Sequence, residues 1–142
     1  MYDPATARVS LIDFEYAQCN FAAFDLANHL FEYAGSGPIR WELLPSEAEE
    51  RSFLHGYAIS AGLPTDDAAL RTLHAEVRTF YAASHLFWGL WALVRSADAE
   101  AAEEFDFYGY AEERLRLVFA PSPAQGAEGR VHRVARVASA AN

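Results

Sequence analysis

The 142-residue sequence contains no lysine: all 11 of its basic residues are arginines. Chemistry that needs a lysine amine is therefore excluded from this chain. Cys19 is the single cysteine, so the chain forms no intrachain disulfide and no thiolate metal cluster. A lone thiol fits a reducing compartment, and a cytoplasmic location is expected.

The sequence also lacks basic clusters and long apolar runs. Its net charge of -9 argues against nucleic-acid binding, which needs clustered cations to neutralise phosphates. Met1 is not followed by a basic and then apolar run, so no signal peptide is expected. The most apolar stretch, about 80–94, is interrupted by Ser84 and His85 and falls short of the about 20 apolar residues that span a bilayer. We therefore expect no transmembrane segment.

Hydrophobic residues make up 52% of the chain and aromatic residues 14%, so one domain can bury a sizeable core. Residues 1–120 carry this pattern and form the predicted domain. Residues 121–142 are rich in Pro, Ser, Ala, Gly and Arg without an apolar period, which predicts a loose tail.

The periodicity predicts a mainly α-helical fold that begins with one short strand. The backbone groups of a strand need hydrogen-bond partners on a second strand, so a hairpin is expected. The strand is expected at Arg8–Phe14, and helices are expected at 22–34, about 66–97 and about 101–119. A further helix, the second in chain order, is opened by Pro45-Ser46 and ended by Gly62 and Pro64. Ser46 and Glu49 form a capping-box pattern that opens the second helix. The third helix is apolar on both faces from about Phe80 to Val94, which predicts burial all round.

Two carboxylates stand at the end of the predicted strand. In an extended segment, Asp13 and Glu15 would point to the same side. Such a pair can share a hard cation such as magnesium, which takes oxygen ligands and often bridges to phosphates. The alternative is a strand that ends in a polar turn.

Three separated blocks resemble the choline/ethanolamine kinase family. They are LIDFEYA at 11–17, followed by Asn20 and FDLANHLFEYAG at 24–35; SHLFWGLWALV at 84–94; and EFDFYGYAEERL at 104–115. Their order and spacing extend the resemblance over residues 8–119, and the last block is more similar to ethanolamine kinases. The resemblance implies the C-terminal lobe of a protein-kinase-like fold.

The resemblance implies ATP-dependent phosphoryl transfer to the hydroxyl of ethanolamine or choline, the first step of the CDP-ethanolamine route to phosphatidylethanolamine. Asp13 would bind the Mg²⁺ that bridges the ATP phosphates, and Glu15 would assist. Asp25 would be buried and, with Asn28, would brace the catalytic loop. The alternative for both is a polar side chain in the core whose hydrogen bonds are satisfied there.

The resemblance also implies a binding site for the substrate's amine. Glu32 would face the ammonium group, and Trp88, Trp91 and Tyr110 would line an aromatic pocket that attracts it by cation–π interaction. The alternative is an aromatic stripe that belongs to the core.

Other parts of the kinase machinery are absent from this sequence. It has no phosphate-binding lysine, no phosphate-cradling glycine loop and no His-x-Asp catalytic loop, so no catalytic residue is assigned in this chain. The base Asp is expected upstream of Met1, in a longer protein of which this chain is a truncated form, and the chain alone is expected to be inactive. A catalytically dead fragment, or a non-catalytic helical module that keeps the ammonium pocket, is the alternative, and homodimer formation is left open.

Overall fold

A computed structural model describes residues 1–98, 103 and 105–119. Its elements, in chain order, are β1 (Tyr2–Asp3), β2 (Arg8–Val9), α1 (Ala22–Glu32), a 3-10 turn (Trp41–Leu43), α2 (Glu47–Ser60), α3 (Asp67–Arg95) and α4 (Phe107–Leu117). The predicted class, mainly helical with an N-terminal hairpin, is confirmed. The predicted tail at 121–142 lies outside the described residues.

The N-terminal hairpin is shorter than the predicted strand. Tyr2 pairs with Val9 in antiparallel register, and the Met1 ammonium donates to the Ser10 carbonyl at 2.6 Å. The expected strand over Arg8–Phe14 is wrong beyond Val9: the backbone after Ser10 meets no partner strand in the described part of the chain. Residues 11–20 are consequently exposed.

Local side-chain caps start the two longest helices. The Ser46 hydroxyl accepts from the Glu49 amide at 3.4 Å while the Glu49 carboxylate accepts from the Ser46 amide at 2.8 Å, which confirms the capping box. The Asp66 carboxylate accepts from the Ala68 and Ala69 amides, both at 3.0 Å. Each cap satisfies donors that a helix start leaves free.

Helices α1, α2 and α3 enclose the main core. Its members include Leu30 and Phe31 from α1, Leu54 from α2, and Val77 and Tyr81 from α3. Helix α4 packs along the second half of α3, where its Phe107 and Ala111 bury Ala92 of α3. The C-terminal half of α3 is therefore held between α1 and α4, which fixes the orientation of the side chains that it carries.

Two expectations about the helices are wrong. The outer face of α3 is exposed, with Leu86, Leu90 and Leu93 at 44%, 51% and 38%, because the described elements pack on the other sides of this helix. The sequence predicts the fourth helix over 101–119, but Phe105 and Asp106 are not helical. Asp106 instead caps α4 by accepting from the Gly109 amide at 2.8 Å; part of the expected range lies outside the described residues.

No helix in the described ranges is long and apolar enough to cross a membrane.

The close approach of α3 and α4 depends on Gly89. A Cβ at this position would lie 2.8 Å from both Cγ and Cδ2 of Leu115. Gly89→Ala gains about 1 kcal/mol from the higher helix propensity of alanine. The added methyl group crowds Leu115, and such overpacking costs about 1 to 3 kcal/mol. We expect a net destabilisation of about 1 kcal/mol in urea unfolding.

Gly56→Ala is the matched control. Gly56 also lies inside a helix, but nothing lies within 4 Å of an added Cβ. This change should stabilise the fold by about 0.5 to 1 kcal/mol. Equal stabilisation by both substitutions would contradict the close contact between α3 and α4.

Candidate functional site

An aromatic cluster of Tyr16, Trp88 and Trp91 joins the N-terminal segment to α3. The two indoles lie one turn apart with ring centroids 5.3 Å from each other, and the Tyr16 ring stands edge-on at 5.8 and 6.5 Å from them. The Trp91 indole N–H donates to the Tyr16 hydroxyl at 2.9 Å. Sequence reasoning missed Tyr16; its position directly after the Asp13–Glu15 motif was the available signal.

Asn28 of α1 fixes the Trp88 indole. Its side-chain carbonyl accepts from the Trp88 indole N–H at 2.5 Å and from the Ser84 hydroxyl at 3.0 Å. The family resemblance implies that Asn28 acts as a brace. Both of these hydrogen bonds run to α3, so they orient an aromatic ring of the candidate site.

A buried guanidinium lies behind this hydrogen-bond chain. Arg114 of α4 is 1% exposed and donates to the Ser84 hydroxyl at 3.2 Å. Its guanidinium carbon lies 4.6 Å from the centre of the Phe31 ring and 5.5 Å from that of Tyr110. Sequence reasoning missed Arg114 because arginines on helices are usually solvent-exposed.

Glu32 and Tyr110 share the electrostatic surroundings of Arg114. Partial removal from water raises the pKa of the Glu32 carboxyl, while interactions with Arg114 and His29 oppose this rise. Burial likewise raises the pKa of the Tyr110 hydroxyl. Although Glu32 is exposed as a residue, its carboxyl therefore experiences a partly desolvated environment.

Ring contacts connect Tyr110 to the aromatic cluster. Tyr110 packs at 5.7 Å against Phe105, which contacts Phe107, and Phe107 lies 5.5 Å from Trp91. Three of the four predicted substrate-site residues, Trp88, Trp91 and Tyr110, are thus joined by packed rings. No contact of the described residues joins the Glu32 carboxyl to these rings; Glu32 shares with Tyr110 only the electrostatic influence of Arg114.

The two candidate metal ligands are exposed, and their backbone is not the extended one assumed from the sequence. Asp13 has φ 66°, in the left-handed region. Asp tolerates this region better than most residues, and such strain tends to occur at functional sites. The inference that Asp13 and Glu15 share a side because they lie in a strand is therefore wrong, and their role as metal ligands stays a prediction.

Asp25 is exposed on the first turn of α1, so the burial expected of it is not observed. Within the described ranges, no group of three or more His, Cys, Asp or Glu residues could hold a metal ion. The carboxylate oxygens of Asp13 and Glu15 nevertheless have the donor chemistry that magnesium prefers when phosphates supply its other ligands.

Comparisons with known proteins point to one family. Residues 1–119 match the family model described as choline/ethanolamine kinase. The chain is 36% identical over 129 residues to ethanolamine kinase 1 of Mus musculus and 40% identical over 117 residues to probable ethanolamine kinase A of Dictyostelium discoideum. These matches cover 87% and 81% of this chain but 35% and 32% of the relatives. The chain thus spans about a third of the length of these relatives.

A solved structure supports the same assignment. An ethanolamine kinase of Plasmodium vivax matches with a TM-score of 0.71 and 35% identity, over 86% of this chain and 31% of that protein. Probable choline kinase 1 of Arabidopsis thaliana is 32% identical over 87% of this chain and 37% of that relative. The resemblance found in the sequence and the kinase-like fold that it implied are confirmed.

Replacing Asn28 tests the hydrogen bonds that hold the Trp88 ring. Asn28→Ala leaves the Ser84 hydroxyl and the Trp88 indole N–H without their acceptor. The loss should lower the free energy of unfolding by about 2 to 3 kcal/mol and change the tryptophan emission. Asp25→Ala, on the same helix but exposed, should cost less than about 1 kcal/mol. Similar losses for both variants in urea unfolding would contradict the arrangement.

Proposed function

Because the chain belongs to the choline/ethanolamine kinase family, we propose that it supplies the amine-binding and metal-binding part of an ATP-dependent ethanolamine kinase. The reaction transfers the terminal phosphoryl group of ATP to the hydroxyl of the amino alcohol, and it opens the CDP-ethanolamine route to phosphatidylethanolamine in the cytoplasm. The observation that carries the proposal is the aromatic cluster of Tyr16, Trp88 and Trp91, within a chain whose relatives are ethanolamine and choline kinases.

The proposed pocket attracts an ammonium group in two ways. The faces of Trp88, Trp91 and Tyr110 offer cation–π contacts of about 0.5 to 2 kcal/mol each, depending on desolvation. The Glu32 carboxylate adds a direct charge partner. Because packing and hydrogen bonds already hold the indoles, little side-chain entropy is lost when the amine binds.

Hydrogen-bond acceptors favour ethanolamine over choline as the substrate. A primary ammonium carries three N–H donors, whereas a quaternary ammonium carries none and is larger. The Glu32 carboxylate and the Tyr16 hydroxyl oxygen are acceptors on residues of this site. They can accept the hydrogen bonds that a primary ammonium donates. A quaternary ammonium would remove water from these acceptors without donating a hydrogen bond in return.

Asp13 and Glu15 are the proposed magnesium ligands. Both are exposed carboxylates, and Tyr16, which immediately follows them, is anchored to α3 by its contact with Trp91. That contact would hold the acidic segment close to the amine pocket. A bound magnesium neutralises charge on the phosphoryl oxygens during transfer. Asp25 would accept backbone hydrogen bonds from a catalytic loop that this sequence does not contain.

A non-catalytic module that binds ammonium compounds is the second candidate. The aromatic cluster alone would suffice for it, without the lysine and the His-x-Asp motif that this sequence lacks. Both candidates use the same pocket and differ in whether phosphoryl transfer follows when the remaining kinase parts are supplied.

Tryptophan emission offers a test of the proposed pocket. Titration with ethanolamine should quench the fluorescence of the 142-residue chain, because an ammonium group would dock on the Trp88 and Trp91 indoles. Trp91→Leu should weaken binding about 10-fold, since one cation–π contact of about 1 to 2 kcal/mol is lost.

Trp41→Phe is the matched control, because Trp41 lies in the 3-10 turn outside the aromatic cluster. This variant should keep the ethanolamine response. A chain that gives no response at any concentration, or a response that disappears only with Trp41, would reject the pocket.

Phosphoryl transfer by this chain alone is expected to be undetectable. Its sequence supplies neither a lysine for the phosphates nor a His-x-Asp base, and positioning and electrostatics provide most of the catalysis in this reaction. The measurement is phosphoethanolamine formation from ATP, magnesium and ethanolamine by the purified chain. Steady formation that disappears in Asp13→Ala would contradict the expectation.

A further inference from the structure

Residues 11–20, the acidic segment, carry both predicted magnesium ligands, and all of them are exposed. Ahead of this segment, the Ser10 amide is hydrogen-bonded at the base of the N-terminal hairpin at 2.8 Å. Behind it, the Phe21 ring packs on Phe80 of α3 at 5.5 Å. Among the hydrogen bonds and ring contacts of the described residues, those that join the acidic segment to a helix all start at Tyr16.

The backbone around Tyr16 forms a turn that also contains one of the predicted metal ligands. Glu15 and Tyr16 are its central residues, and the Ala17 amide donates to the Phe14 carbonyl at 2.9 Å. A hydrogen bond that is open to water holds a short turn only weakly. Because Glu15 and Tyr16 share this turn, docking of the Tyr16 side chain on α3 also fixes the backbone that carries Glu15.

Tyr16 docks on the two indoles that the proposed amine pocket uses. Its hydroxyl accepts from the Trp91 indole N–H at 2.9 Å, and its ring lies 5.8 Å from Trp88 and 6.5 Å from Trp91. A tyrosine oxygen has acceptor capacity beyond one hydrogen bond. A primary ammonium that lies on these indoles can therefore donate to the same oxygen while Tyr16 is docked, and it loses this acceptor when Tyr16 swings away.

The docking of Tyr16 is weak enough for a ligand to change it. The residue is 52% exposed, so water competes for its hydrogen bond. Ordering the residues around it costs conformational entropy, and exposed segments with few buried contacts open at little cost in free energy. A ligand shifts such an equilibrium when it makes more contacts with one state than with the other. The Tyr16 hydroxyl supplies this difference in contacts.

We propose that Tyr16 is a positioning residue through which amine binding fixes the acidic segment, so that an ammonium group in the pocket also places Asp13 and Glu15. This inference rests on the proposed amine-binding function. By linkage, the coupling is reciprocal: whatever holds the acidic segment in its docked position also raises the affinity of the pocket for the amine.

The test follows exchange of the Ala17 amide hydrogen with solvent by nuclear magnetic resonance, in the 142-residue chain with and without ethanolamine hydrochloride. Sodium chloride at the same concentration replaces the ligand in the reference sample. Because the Ala17 hydrogen bond closes the Tyr16 turn, its exchange reports opening of that turn. Ethanolamine should slow it, with a limit of about 10-fold at ten times the dissociation constant if only the docked segment binds.

Substitutions in the acidic segment show whether Tyr16 carries the effect. In Tyr16→Leu, ethanolamine should bind more weakly, and at equal occupancy it should no longer slow Ala17 exchange. Tyr16→Phe keeps the ring and should recover part of the slowing. Phe14→Leu is the matched control, because Phe14 is a 64% exposed aromatic residue of the same segment that makes no ring contact with the described residues. This variant should keep the full wild-type response.

The outcomes separate this inference from the function on which it rests. No ethanolamine binding by the wild type at any concentration would reject the amine pocket. Binding that leaves Ala17 exchange unchanged would keep the pocket and overturn the role of Tyr16. Equal slowing in the wild type and in Tyr16→Leu would overturn it as well. If Tyr16→Leu no longer binds, Tyr16→Phe decides at equal occupancy, and slowing as large as that of the wild type would count against the hydroxyl contact.

Discussion

One amide oxygen organises the candidate site. The Asn28 carbonyl accepts from Ser84 and from the Trp88 indole, and thereby links α1 to α3 across 60 residues of sequence. With Trp88 fixed, its edge-on contacts with Trp91 and Tyr16 follow, and Tyr16 in turn holds the exposed acidic segment to the helices. The aromatic cluster and the segment that carries the predicted metal ligands thus depend on the same partly buried acceptor.

The charged group behind this acceptor is a buried cation. Arg114, buried behind Ser84, compensates for the desolvation of Glu32 and packs on the Phe31 and Tyr110 rings. A core built for stability alone would avoid such a charge. Its hydrogen bond to Ser84 joins it to the hydrogen-bond chain that orients the Trp88 ring.

Features determined by neighbouring residues could be predicted from the sequence, while those determined by distant contacts could not. The Ser46–Glu49 capping box depends on residues three apart, and its prediction is confirmed. By contrast, nothing local distinguishes buried Arg114 from exposed Arg116, and the left-handed backbone of Asp13 contradicts the strand that its neighbours suggest. The exposure of the outer face of α3 was not predicted either, because periodicity does not show which sides of a helix pack against other elements. The motifs that carried the family resemblance led to the prediction of Trp88, Trp91 and Tyr110 as site residues, but not of Tyr16.

The most direct test of a shared amine pocket is nuclear magnetic resonance of the three tryptophan indole N–H groups during ethanolamine titration. The account predicts that the Trp88 and Trp91 signals shift together with one common dissociation constant, while the Trp41 signal stays in place. Indole signals that do not move, or that move with unrelated concentration dependences, would contradict a single pocket formed on α3.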